Sequence, residues 1–177
     1  EVEWLLDWYY RDERRAPSDA TRAMLLEAAE VLRARHLKVG DIRNDSADLE
    51  QMTEEFSLLC RQARVRGTDV LFELLPPTLS RIPSLDQVLA LVRGAGEPNA
   101  GIMLDNLHLV RTGITNAELL AKLTPQDKLG VEINDGLMTL ETNCATRSST
   151  SVCCRAMASS TSRGSWTRFR HSDIKVP

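Results

Sequence analysis

Gly101-Ile102-Met103-Leu104-Asp105-Asn106-Leu107-His108 is the stretch from which the rest of the chain is read. An apolar run leads directly into an aspartate, and a histidine follows three positions later. A short apolar run bounded by polar residues predicts a buried strand. With the strand ending at Leu104, Asp105 stands at its carboxyl end, where open α/β folds and barrels keep their chemistry. His108 is expected on the loop above, within reach of the same space. A carboxylate with an imidazole suits Zn, Mn, Co or Fe. The competing reading makes Asp105 only the N-cap of a following helix and His108 a surface residue.

Two further stretches have the same form. Val70-Leu71-Phe72-Glu73-Leu74-Leu75-Pro76 is an apolar strand, an acid and a loop opened by proline, and Leu129-Gly130-Val131-Glu132-Ile133-Asn134-Asp135 repeats the acid at the strand end. Capping alone does not explain acids at the ends of three successive strands. His36-Leu37-Lys38-Val39-Gly40 adds an earlier strand. Lys38 could point into a site, but a strand-end lysine is expected in solvent.

Helical spacing separates these strands. Met24, Leu25, Ala28, Val31 and Leu32 recur through 20–35, with Ser18 as the expected cap. Leu49, Met52, Phe56, Leu59, Cys60 and Ala63 share one face of a helix over about 47–66, stopped by Gly67. Ser84 caps a helix through about Gly96, and Asn116 caps a short one to about Leu123. Pro76, Pro77 and Pro83 mark an irregular loop long enough to cover a site. The aromatic opening, Glu1 to Tyr10, reads as the end of a strand and its loop, with the rings packing. Strands recur about every thirty residues with a helix between each pair, which is the βαβ period of an α/β fold with parallel strands. The absence of a Gly-x-Gly-x-x-Gly turn disfavours a dinucleotide-binding Rossmann fold.

Composition bounds the function. The chain has 177 residues, 42% of them hydrophobic, and a net charge of −3. That suffices for a packed core and offers no basic field for nucleic acid. No apolar run approaches a membrane span, so no membrane partner is expected. The start, Glu1-Val2-Glu3-Trp4, is acidic and lacks an initiator methionine. It predicts no signal peptide and a chain that begins in mid-domain. Cys60, Cys144, Cys153 and Cys154 fit no zinc template, and a reducing, cytoplasmic setting is the default.

Glu73, Asp105 with His108, and Glu132 together resemble the sugar phosphate isomerase/epimerase superfamily, the xylose isomerase-like TIM barrels. That family carries a glutamate on its fifth strand, and an aspartate on its sixth followed by histidine three residues on. A histidine or glutamine sits on its seventh strand and a second glutamate on its eighth. Glu132 falls where the family usually has histidine or glutamine. The resemblance covers roughly the first three-quarters of the chain. It implies part of a (β/α)8 barrel, about four βα units matching strands four to seven, since a whole TIM barrel needs about 250 residues. It implies one divalent metal ion (Mn, Mg, Co or Zn) and a small sugar, polyol, keto acid or related hydroxy-carbonyl substrate. Glu73 is then metal ligand and acid/base, and Asp105 and Glu132 are metal ligands. His108, Arg111 and Asp135 are substrate contacts. The implied reaction is isomerisation or epimerisation by proton transfer next to a carbonyl. Dehydratases and lyases share the same site geometry. Endonuclease IV relatives share the barrel but need more histidine ligands and a basic groove, against three histidines and an acidic balance here.

After Gly136 the character changes. Cys144 to Pro177 is crowded with serine, threonine, arginine and cysteine and shows neither helical nor strand period. The chain therefore divides into 1–136, the partial barrel, and 137–177, an aberrant tail expected to be frame-shifted or disordered. Reading the third base of each codon with the first two of the next, from Val152 to Ser162, permits leucine, leucine, proline, glycine, aspartate, glycine, glutamate, phenylalanine, aspartate, leucine. Met157 before Ala158 forces one of those glycines. That string resembles the loop between the family's seventh strand and last helix. The expectation is a truncated form that lacks the complete site, binds metal weakly and does not turn over substrate.

Overall fold

The structure is a computed structural model that describes residues 1–42 and 48–135. Five strands alternate with helices: β1 (Val2–Leu5), α1 (Arg15–Leu32), β2 (His36–Val39), α2 (Leu49–Arg64), β3 (Asp69–Glu73), α3 (Leu85–Gly94), β4 (Ala100–Asp105), α4 (Asn106–Thr112), α5 (Asn116–Lys122) and β5 (Lys128–Glu132). The strands lie in sequence order in one sheet, and every neighbouring pair is parallel. This is the α/β partial barrel expected, four βα units followed by a further strand. β1 lies within the aromatic opening, where the end of a strand is expected, and β5 is the strand that follows the four units. The tail assigned to 137–177 lies outside the described residues. Among the described residues no helix is long and apolar enough to cross a membrane.

Local signals set the helix ends. Asp48 accepts from the Gln51 amide at the start of α2, and Ser84 and Gln87 form a reciprocal capping box on α3. Gly67, at φ 71, supplies the left-handed residue that follows α2. The expected cap at Ser18 is corrected. The helix α1 already starts at Arg15, and Ser18 is buried inside it with its hydroxyl donating to the Leu6 carbonyl at 3.1 Å. A hydroxyl that finds a carbonyl across the fold has no need of the helix start. Thr115, not Asn116, caps α5.

Period two gives the sheet two different faces. Leu37, Val39, Val70, Phe72, Ile102 and Leu104 belong to the core beneath the helices, together with Phe56 of α2 and Trp8 of the β1–α1 loop. The opposite face carries Lys38, Leu71, Glu73, Met103, Asp105 and Glu132. Pairing in register aligns them in layers: Leu71 with Gly101, Glu73 with Met103, Met103 with Gly130, and Asp105 with Glu132. Glycines open room in those layers. A Cβ on Gly101 would stand 2.5 Å from Leu71 Cδ2 and 2.6 Å from the Lys128 carbonyl oxygen. The carbonyl cannot swing away, since it belongs to the neighbouring strand. Gly101→Ala is therefore expected to cost about 1–3 kcal/mol of stability, read as a lowered urea midpoint. An unchanged midpoint would mean that β4 and β5 approach less closely than described.

Candidate metal and proton-transfer site

Parallel strands bring their carboxyl ends to one rim. Glu73 ends β3 and Asp105 ends β4, each with only 3% of its surface exposed. Asp105 does cap the next helix: Oδ1 accepts from the Leu107 amide at 2.7 Å and the His108 amide at 3.4 Å. Its other oxygen, Oδ2, accepts from Asn134 Nδ2 and lies 3.8 Å from His108 Nε2. The capping reading and the site reading thus hold together, one oxygen serving each. Because the cap starts a helix at once, His108 lies on α4 rather than on a loop.

His108 Nε2 is also 3.7 Å from Glu73 Oε1. One donor atom from each of Glu73, Asp105 and His108 lies within 4.8 Å of the others. The imidazole–carboxylate separations are too long for hydrogen bonds. They suit donors that share one ion at about 2.0–2.2 Å each. Burial lowers the His108 pKa, with Asp105 opposing and Arg111 adding to the shift, so the ring favours the neutral form that ligates metals. Burial pushes Glu73 up to about 8, opposed by Lys38 and reinforced by Glu132, Asp105 and Glu3. His108 Nδ1 is buried and has no hydrogen-bond partner among the described residues.

Glu132 stands apart from this group. Its Oε1 meets Lys38 Nζ at 2.7 Å, and the donor atoms grouped with it come from Glu1 and Glu3. Lys38 is not solvated as expected. Its ammonium is buried among Glu3 at 2.6 Å, Glu132, and Glu73 at 3.9 Å. Burial pulls the Lys38 pKa down, but the bonds to Glu132 and Glu3 outweigh it and the net shift is upward. Arg111 lies in the last turn of α4. Asp135 is exposed and is the last described residue.

Lys38 and Glu3 are functional candidates that sequence reasoning undervalues. The signal for Lys38 is the alternation Leu37-Lys38-Val39, which turns a lone lysine to the face opposite two core residues. The rim is braced by Asp41. Its carboxylate accepts from Tyr9 Oη at 2.8 Å, Ser80 Oγ at 3.1 Å and the Arg81 amide at 3.0 Å. The loops after β1, β2 and β3 are thereby tied together, including the proline-rich one.

Neither a protein-family profile nor a curated protein sequence matches the chain. Solved structures do. A xylose isomerase-like TIM barrel/4-hydroxyphenylpyruvate dioxygenase fusion protein matches 78% of this chain and 22% of its own length, at 20% identity and TM-score 0.66. The chain has the fold of part of a xylose isomerase-like TIM barrel. A D-psicose 3-epimerase, solved in the presence of D-fructose, matches 76% of this chain and 50% of its own, at 14% identity and TM-score 0.62. The IolI protein, solved with a zinc atom, matches 69% of this chain and 46% of its own, at 18% identity and TM-score 0.56. The chain therefore spans half or less of the length of these structures.

Proposed function

We propose that this segment carries the metal and proton-transfer part of a sugar isomerase or epimerase site. The observation that carries the reading is the convergence of Glu73, Asp105 and His108 at the carboxyl rim of parallel strands. The match to an epimerase and to a zinc-containing relative by fold supports it. The donor set fits one divalent ion: two buried carboxylates and an imidazole of lowered proton affinity. Bound there, such an ion would stabilise negative charge developing on a substrate oxygen.

Glu73 supplies the base. Its carboxylate takes the proton from the carbon next to a carbonyl, and the C–H electron pair moves towards the carbonyl oxygen. The protonated Glu73 then returns the proton to the former carbonyl carbon, while the hydroxyl proton of the carbon that was deprotonated passes to the former carbonyl oxygen. The carbonyl now stands at that carbon and the isomerisation is complete. Inversion at a single carbon needs a second acid/base group on the other face of the substrate. A base with a proton affinity near neutrality suits this exchange. His108, Arg111 and Asp135 are proposed as substrate contacts, His108 also as a ligand to the ion. Glu132 comes after it in the order of candidate ligands, since Lys38 already holds its carboxylate.

Asp105→Asn tests the metal assignment without removing the helix cap, because asparagine caps as well as aspartate. In excess Co2+ the purified chain is expected to take up one weakly held ion, seen in its visible absorption. The variant should weaken that binding by more than about 10-fold with its circular dichroism unchanged. A folded chain that takes up no Co2+, or a variant that binds as tightly, would overturn the reading.

A further inference from the structure

Lys38 is a buried lysine on the face of the sheet that carries the acids. Strand period turns it away from the core, yet its side chain is only 8% exposed. Its ammonium lies 2.6 Å from Glu3 Oε2, 2.7 Å from Glu132 Oε1, 3.8 Å from Glu1 Oε1 and 3.9 Å from Glu73 Oε2. Glu1, Glu3 and Glu132 each offer an oxygen within 4.8 Å of the others, the spacing also seen at Glu73, Asp105 and His108. Carboxylates from β1 and β5 converging so closely repel one another unless a cation stands among them. In this protein the cation is covalently part of β2.

The lysine is also held in place. The Trp4 ring lies 5.8 Å from its ammonium. Gly40, two residues on, leaves room for that ring: a Cβ there would stand 2.8 Å from Trp4 Cζ2. The ammonium thus has acids on several sides and an aromatic face on another.

We propose that Lys38 is a built-in cation that takes the place of a second divalent ion between Glu3 and Glu132, limits the rim to one exchangeable metal, and positions the Glu73 carboxylate beside it. The inference rests on the preceding reading only for the ion at Glu73, Asp105 and His108. The Lys38 contacts stand by themselves. A single-ion site suits proton transfer next to a carbonyl, whereas a cluster of ions would suit hydrolysis of a phosphodiester.

Lys38→Met tests this, because it keeps the aliphatic stem and removes the charge. The probe is Mn2+, counted by loss of the free-ion electron paramagnetic resonance signal. Lys38→Met is expected to bind one Mn2+ more than the wild-type chain. The extra ion should disappear in Lys38→Met/Glu132→Gln and persist in Lys38→Met/Asp105→Asn. Lys38→Arg should keep the wild-type number. If Lys38→Met unfolds in EDTA, Mn2+ is expected to refold it. A Lys38→Met chain that takes up no ion beyond the wild-type number, whether folded or unfolded, overturns the proposal. Failure of the preceding reading looks different: the wild-type chain binds no Mn2+ and Asp105→Asn changes nothing, while the difference between Lys38→Met and wild type still decides the role of Lys38.

Discussion

Trp8→Ala is expected to remove about 3–5 kcal/mol of folding stability. Trp8 is fully buried, and its ring centroid lies 5.1 Å from Tyr9, 5.7 Å from Phe56 and 6.1 Å from Phe72, all in edge-to-face geometry. These rings bring together the β1–α1 loop, α2 and β3, so truncation leaves a cavity that no single element can collapse to fill. The polar part of the side chain adds to the loss. Trp8 Nε1 donates to the Gly40 carbonyl at 3.0 Å, next to Asp41 and the braced rim. Trp8→Phe keeps most of the ring contact and gives up that bond, so it should cost about 1 kcal/mol in hydrogen bonding plus the lost ring volume. Urea unfolding followed by circular dichroism measures both. A Trp8→Ala loss below about 1 kcal/mol would show that the aromatic cluster is not what joins these elements.

Much of this arrangement is legible in the sequence because it depends on local periodicity. The run through Met103 and Leu104 to Asp105, and its counterparts ending at Glu73 and Glu132, predict strands that the structure places in one parallel sheet. The apolar stripe of α2 and the Ser84 capping box are equally local. The aromatic opening reads as packing, and Trp8, Tyr9 and Tyr10 are buried. What is not legible depends on register and distance along the chain. Lys38 and Glu132 meet across 94 positions, and nothing near Lys38 announces which acids will surround it. Once that pair forms, Glu132 is drawn from the Glu73 group towards β1 and β2. The α4 helix has only seven residues, too few to show an amphipathic period, so the sequence puts His108 on a loop. The double use of Asp105 is also hidden, because its two oxygens differ only in what the fold sets beside them.

Glu73 gives the last expected result, a loss of stability as pH rises in metal-free solution. Burial raises its folded pKa from 4.5 to about 8; Lys38 opposes the shift, while Glu132, Asp105 and Glu3 add to it. Between those two values the folded chain keeps a proton on Glu73 that the unfolded chain has released. The folded state then binds more protons, so stability must fall with rising pH across that window. The contribution is fully present below 4.5 and is gone above about 8. Its ceiling is about 5 kcal/mol for a shift of this size. Glu73→Gln mimics the protonated side chain and cannot titrate. Unfolding free energies of both proteins in EDTA, at pH 5 and pH 8.5, should therefore diverge, with wild type losing several kcal/mol relative to the variant. His108, whose burial acts in the opposite sense, is present in both proteins. Saturating Mn2+ should shrink the divergence, because a metal binds the carboxylate form and stabilises it. Parallel pH profiles for the two proteins in EDTA would mean that the fold leaves Glu73 with the proton affinity of the unfolded chain. A carboxylate of ordinary proton affinity is a weak acceptor for a carbon-bound proton, and the assignment of Glu73 as the base would fall with it.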